Sequence, residues 1–88
     1  MTLKINISGK VQGVAFRYSA QHIANSLGIN GYAKNLPDSS VEIIAQGEHE
    51  PLNLFIKWCH QGPSRARVDG IFYEQIKTDK IYHDFDVR

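Results

Sequence analysis

The sequence contains a single cysteine, Cys59, so no internal disulfide can form and no cysteine cluster is present to hold zinc. A lone thiol suits the reducing cytosol, which makes the cytoplasm the expected location. No apolar run approaches the roughly 20 residues that a membrane span needs, so no membrane partner is expected. The opening Met1-Thr2-Leu3-Lys4-Ile5-Asn6-Ile7 alternates apolar and polar side chains, which reads as a strand and not as a signal peptide. There is also no internal repeat, low-complexity tract or linker. With 88 residues, 42% hydrophobic and 22% charged, the chain fits one packed domain over residues 1–88, and a disordered, collagen-like or coiled-coil chain is excluded.

Acidic residues are missing from the first part of the chain. Residues 1–37 carry Lys4, Lys10, Arg17 and Lys34 and no Asp or Glu, whereas all nine acidic residues follow, among six further basic ones. A segment without carboxylates favours small anions if it folds around a site. The net charge of +1 is too weakly basic to argue for nucleic acid.

The apolar pattern gives the elements. Leu3, Ile5 and Ile7 mark one face of a first strand, and a glycine-punctuated loop runs from Gly9 to about Phe16. Phe16, Ala20, Ile23, Ala24 and Leu27 then fall on one face of a helix that Gly28 ends. Residues 29–35 read as a second strand, Asn35 to Ser40 as a turn, and Val41, Ile43 and Ala45 as the buried face of a third strand. Pro51 suits the first turn of a second helix, whose Leu52, Phe55, Ile56 and Cys59 share a face and which Gly62-Pro63 stops. Ala66 to Ile76 is a fourth strand with Val68 and Phe72 on one face, and Phe85 and Val87 mark a short last strand. This is an α+β order, a ferredoxin-like βαββαβ sandwich with a short fifth C-terminal strand and two helices on one face of an antiparallel sheet. Right-handed crossovers make the first two strands parallel with the third between them. The loop after the first strand and Asn35 at the end of the second therefore share one sheet edge, about 10 Å apart.

That loop is Gly9-Lys10-Val11-Gln12-Gly13-Val14-Ala15-Phe16-Arg17. It feeds a helix N-terminus, where unpaired N–H groups and partial positive charge favour an anion. Gly13 permits φ > 0 and close approach of backbone to a ligand, and Arg17 offers a planar fork matched to phosphate oxygens. The loop lacks the Gly-Lys-Ser/Thr ending of the nucleotide P-loop and the glycine pattern of dinucleotide sites. Physics alone points to an anion site and leaves the reaction open.

The same segment resembles the acylphosphatase signature Gly-x-Val-Gln-Gly-Val-x-Phe-Arg. Gly31-Tyr32-Ala33-Lys34-Asn35 followed by Asp38-Ser39-Ser40-Val41-Glu42, and Gly62-Pro63-x-x-Ala66-x-Val68, resemble two further family blocks in order and spacing. The likeness extends to Phe85-Asp86-Val87-Arg88. It implies a small enzyme without metal or cofactor that hydrolyses the carboxyl-phosphate bond of acyl phosphates. It carries the phosphate-binding arginine onto Arg17 and the water-orienting asparagine onto Asn35. The phosphate-binding loop maps onto Gln12, Gly13, Val14, Ala15, Phe16 and Arg17. The chain departs from the family in having Ser39 where Gly is frequent, which bears on the turn, and Tyr32 where Trp is frequent.

The competing reading is a non-catalytic ferredoxin-like module that binds a small anion or RNA. RNA binding would use paired aromatics on the central strands, and the Lys/Arg-Gly-Phe/Tyr-Gly/Ala-Phe-Val pattern is absent. A Met start and a complete set of strands point to a free-standing protein rather than a domain of a larger maturation enzyme, and a monomer is expected. His22, His49, His60 and His83 have no metal-ligand spacing and read as solvated, Cys59 reads as core, Trp58 as a partly exposed packing residue, and Lys10 and Lys34 as surface lysines.

Overall fold

The computed structural model describes all residues, 1–88. Seven elements follow the expected order: β1 (Thr2–Lys10), α1 (Phe16–Leu27), β2 (Asn30–Asn35), β3 (Val41–Gln46), α2 (His49–Gln61), β4 (Arg67–Ile76) and β5 (Phe85–Val87). The strands lie side by side as β4-β1-β3-β2-β5. The β1·β3, β1·β4 and β2·β3 pairs are antiparallel, so β1 and β2 run in the same direction on either side of β3. The fifth strand departs from the expected antiparallel sheet. It pairs parallel with β2, with Gly31 opposite Phe85 and Ala33 opposite Val87, so the sheet is mixed.

Both helices bury their apolar faces on one side of this sheet. α1 lies over β2 and β5, and α2 lies towards β4. The core joins Leu3, Ile5 and Ile7 of β1, Val41, Ile43 and Ala45 of β3, Phe16, Ala20 and Ala24 of α1, and Leu52, Phe55, Ile56 and Cys59 of α2. Phe55 meets Phe85 edge-on at 6.1 Å, which seats the short β5. Burial pushes the Cys59 thiol up, consistent with an inert core side chain. α1 ends as its glycine suggested: Gly28 N–H donates to the Asn25 carbonyl and Ile29 N–H to that of Ala24, a Schellman arrangement.

One strand reading is overturned. Val68 packs against the core, but Phe72 points to the open face and is 67% exposed. The cause is a β-bulge. Ser8 pairs with Gly70 and Gly9 with Val68, which leaves Asp69 without a partner and reverses the alternation beyond it. Gly9 makes the bulge possible, because a Cβ there would stand 2.2 Å from the Arg67 carbonyl oxygen.

The segment between β4 and β5 is tied to the end of the sheet opposite the Gly9–Phe16 loop. Gln46 Nε2 donates to the Lys80 carbonyl (2.9 Å), Tyr82 N–H donates to Gln46 Oε1 (2.9 Å), and Asn30 Nδ2 donates to the Tyr82 carbonyl (3.0 Å). The same segment brings Tyr82 to 6.1 Å from the Tyr32 ring on the open face. No helix is long and apolar enough to cross a membrane.

Candidate functional site

β1 and β2 end on the same sheet edge, as the crossover rule required. Val41 pairs with Ile7 on one side and Asn35 on the other, so these three residues form one row across the sheet. Two strand spacings, about 10 Å, separate the flanking members. β1 continues to Lys10 before the chain turns into the loop.

The loop is pinned by its apolar side chains and leaves its backbone free. Val11, Val14 and Phe16 are buried. Phe16 packs on Trp58 with ring centroids 5.3 Å apart. From Gly13 to Tyr18 no main-chain N–H donates to a protein acceptor; the first such donor is Ser19, to the Ala15 carbonyl at 3.0 Å. α1 has no side-chain N-cap bond and no acidic residue in its first turn. Gly13 is left-handed (φ 74°), as its position suggested, and so is Ala15 (φ 61°), two residues on. Two left-handed residues one position apart bend the backbone sharply, and a loop bent so can turn successive N–H groups towards one concavity, the shape that binds anions. A left-handed alanine costs about 1–2 kcal/mol, and no composition signal announced it.

Arg17, in the first turn of α1, reaches towards β5. Its Nη1 donates to the main-chain oxygen of Arg88 at 2.5 Å, and Arg88 N–H donates to the Ala33 carbonyl at 2.8 Å. The guanidinium is thus held at the residue that follows β5, the strand beside the one that Asn35 ends. The Arg88 side chain lies 4.0 Å over the Tyr32 ring. Asn35 shares its strand face with Gly31 and Ala33, the face that α1 covers. Its Oδ1 is the one buried side-chain polar atom in the molecule without a hydrogen-bond partner. Buried acceptors are rarely left so, and each such exception calls for a functional or structural explanation.

Gln12 behaves differently from its neighbours. Its backbone belongs to the loop, but its side chain crosses to the β2–β3 hairpin, where Nε2 donates to the Leu36 and Ser40 carbonyls at 2.9 Å each. This contact was not legible in the sequence, because both acceptors are main-chain atoms. The hairpin is closed by Leu36 N–H to the Ser40 carbonyl (2.9 Å) and Ser39 N–H to the Leu36 carbonyl (3.1 Å). Ser39 takes φ 78°, the left-handed conformation that the frequent glycine would adopt freely. Asp38 accepts from the Ser40 N–H and hydroxyl, and these bonds, the hydroxyl first, hold its carboxyl below the ordinary range.

The basic residues of the first 37 positions converge only in part. Lys10 and Lys34 stand near this edge and are exposed, whereas Lys4 lies on the open face 3.8 Å from Glu42. All four histidines are exposed, and no three His, Cys, Asp or Glu side chains gather anywhere. Tyr32 and Phe72 share the open face, but on β2 and β4, with β1 and β3 between them, so they form no continuous stacking platform. An open groove of about 410 Å³ between the helices is lined by Tyr18, Ser19, His22, Ile23, Trp58 and Pro63, none of them an expected site residue.

Comparison with known proteins agrees with this fold. The family model for acylphosphatase matches residues 3–87. An acylphosphatase of Marinobacter nauticus is 44% identical over 79 residues, which is 90% of this chain and 86% of that protein. The crystal structure of acylphosphatase from Bacillus subtilis superposes with a TM-score of 0.95 at 31% identity, over 99% of this chain and 97% of that one. An acylphosphatase from Coxiella burnetii gives 0.94 at 38% identity, over 99% and 90%. With a match that spans nearly every residue and the same fold in relatives of this identity, the chain belongs to the acylphosphatase family.

Proposed function

We propose that this chain, as one domain over residues 1–88, hydrolyses the carboxyl-phosphate bond of acyl phosphates, with Arg17 and Asn35 as the catalytic residues. The observation that carries the reading is the buried, unpartnered Oδ1 of Asn35 at the strand end next to the Arg17 anchor. The ionised phosphoryl group of an acyl phosphate offers only acceptor oxygens, so a site that merely binds it has no use for such an acceptor. A water molecule does need one. The free N–H groups from Gly13 to Tyr18 and the Arg17 guanidinium supply the donors for the phosphoryl oxygens.

Phosphoryl transfer asks mainly for positioning and for stabilisation of charge on those oxygens. Asn35 Oδ1 accepts a hydrogen bond from the attacking water. The water oxygen forms its bond to phosphorus as the phosphorus–acyl oxygen bond breaks, and the bonding pair leaves with the carboxylate. One water proton stays on the new phosphate oxygen and the other passes to a phosphoryl oxygen. The products are a carboxylate and dihydrogen phosphate. Neither Gln12 nor Asn35 titrates, and Gln12 to Phe16 carry no ionisable side chain, so the proton stays within the substrate and water. We place the protein in the cytoplasm as a monomer that binds no nucleic acid, a reading supported by its buried single cysteine and its net charge of +1.

The test is Asn35→Ala. Its kcat should fall by about 10²-fold or more, as when one well-placed polar group is removed from a reaction centre. Competitive inhibition by inorganic phosphate should stay nearly unchanged. If the substitution weakened phosphate binding as much as Arg17→Ala does, Asn35 would be a phosphate ligand and not the water holder.

A further inference from the structure

Gln12 is the only side chain that ties the anion loop to the hairpin following Asn35, and its chemistry is matched to that task. Both hydrogens of its amide nitrogen are used, one on the Leu36 carbonyl and one on the Ser40 carbonyl, at 2.9 Å each. Each of these oxygens already accepts a main-chain N–H: Leu36 from Ser39, and Ser40 from Leu36. A carbonyl oxygen has two lone pairs, so Gln12 completes both acceptors. A neutral side chain with two donors on one atom is found only in Gln and Asn, and Asn is one methylene shorter. Ser40 is held in turn from β1, where Asn6 Nδ2 donates to its hydroxyl at 3.0 Å. Leu36 directly follows Asn35, and Gln12 directly precedes Gly13, whose N–H is among the free donors of the loop.

From this we propose that Gln12 is a positioning residue, which fixes the separation between the phosphate-holding backbone and the Asn35 amide so that both meet the same phosphoryl group. The inference rests on the reading of Asn35 as the holder of the attacking water. The cradle and Arg17 have their own anchors, in Phe16 against Trp58 and in Arg88. Asn35 has none within hydrogen-bond reach of its Oδ1. Loss of the Gln12 bridge therefore moves the water relative to phosphorus and leaves the phosphate site in place. Misplacement by about 1 Å costs on the order of 10²-fold in rate.

The experiment is a double-substitution cycle on an aryl acyl phosphate, with Gln12→Met, which keeps length and removes both donors, and Asn35→Ala, alone and together. Melting curves confirm that each variant is folded. Gln12→Met should lower kcat by about 10- to 10²-fold with phosphate inhibition nearly unchanged, and should add little in the Asn35→Ala background. Equal losses in both backgrounds would make Gln12 a general structural staple and overturn the inference. So would an unchanged kcat. Gln12→Glu supplies a second readout that needs no comparison of stabilities. Its carboxylate faces two carbonyl oxygens, whereas its protonated form regains one donor. Its activity relative to wild type should recover as pH falls through the carboxyl range near about 4.3; a constant ratio would contradict the bridge. An Asn35→Ala enzyme as active as wild type would instead overturn the underlying assignment of Asn35, which separates the two failures.

Discussion

The guanidinium of Arg17 is tied to the main-chain oxygen of Arg88, 71 positions further along the chain. One end of this link is the first turn of α1, and the other is the residue after β5, which itself binds Ala33 on the strand that Asn35 ends. The link uses one guanidinium nitrogen and leaves the rest of the fork for a ligand. A lysine carries one point of charge and cannot keep the anchor and bind phosphate in a fixed plane together. Arg17→Lys should therefore lose at least about 10²-fold in kcat/KM and bind inorganic phosphate more weakly. Near wild-type kinetics in that variant would show that charge alone is what the site uses.

Ser39 provides a test on stability. It holds φ 78° in the hairpin after Asn35, and its hydroxyl makes no hydrogen bond, so little beyond strain is at stake. Ser39→Gly should stabilise the fold by about 0.5–1 kcal/mol, the left-handed penalty less the entropy that glycine adds to the unfolded chain. In a domain of this size that is a rise in Tm of several degrees, with activity retained. An unchanged or lower Tm would mean that the turn tolerates serine without strain.

Gly62 tests the seating of the loop from the opposite side. A Cβ there would stand 2.7 Å from Phe16 Cε2 and 3.3 Å from Ala66 Cβ, and the residue also holds φ 68°. Gly62→Ala should destabilise the protein by about 1–3 kcal/mol through overpacking and backbone strain. Because Phe16 precedes Arg17, kcat should also fall at temperatures where the variant is fully folded. Thermal melts paired with kinetics at 25 °C check both parts, and full activity in a folded variant would separate Phe16 from the site.

Tyr32 gives a pH signature. Its partial burial, and then its hydrogen bond to Glu42 Oε2 at 3.0 Å, push its hydroxyl from 10.0 up to about 12. The folded state holds this proton more tightly than the unfolded chain. Its contribution is complete below pH 10 and is lost as pH rises towards 12. Tyr32→Phe should make stability fall less steeply in that window. Urea titrations of both proteins between about pH 9 and 11.5 show this, and parallel slopes would contradict it.

Much of the fold was legible because it rests on local periodicity. The spacing of Phe16, Ala20, Ile23, Ala24 and Leu27 placed α1, and strand order then brought the loop and Asn35 to one edge. What escaped depends on contacts between distant segments. The bulge at Asp69 arises where Gly9 lets the Arg67 carbonyl approach, and it moved Phe72 to the other face. The parallel pairing of β5 follows from the anchoring of the preceding segment to Gln46 and Asn30. The Gln12 bridge ends on main-chain oxygens, which carry no side-chain signature, and the left-handed Ala15 is set by how the loop closes onto α1.

The most direct measurement is hydrolysis of an aryl acyl phosphate by wild type and by Arg17→Ala, without added metal and in the presence of a chelator. The account predicts turnover by wild type that the chelator leaves unchanged, and a loss of at least about 10²-fold in a folded Arg17→Ala. A folded wild type that leaves the acyl phosphate intact, or an Arg17→Ala variant as fast as wild type, would contradict it.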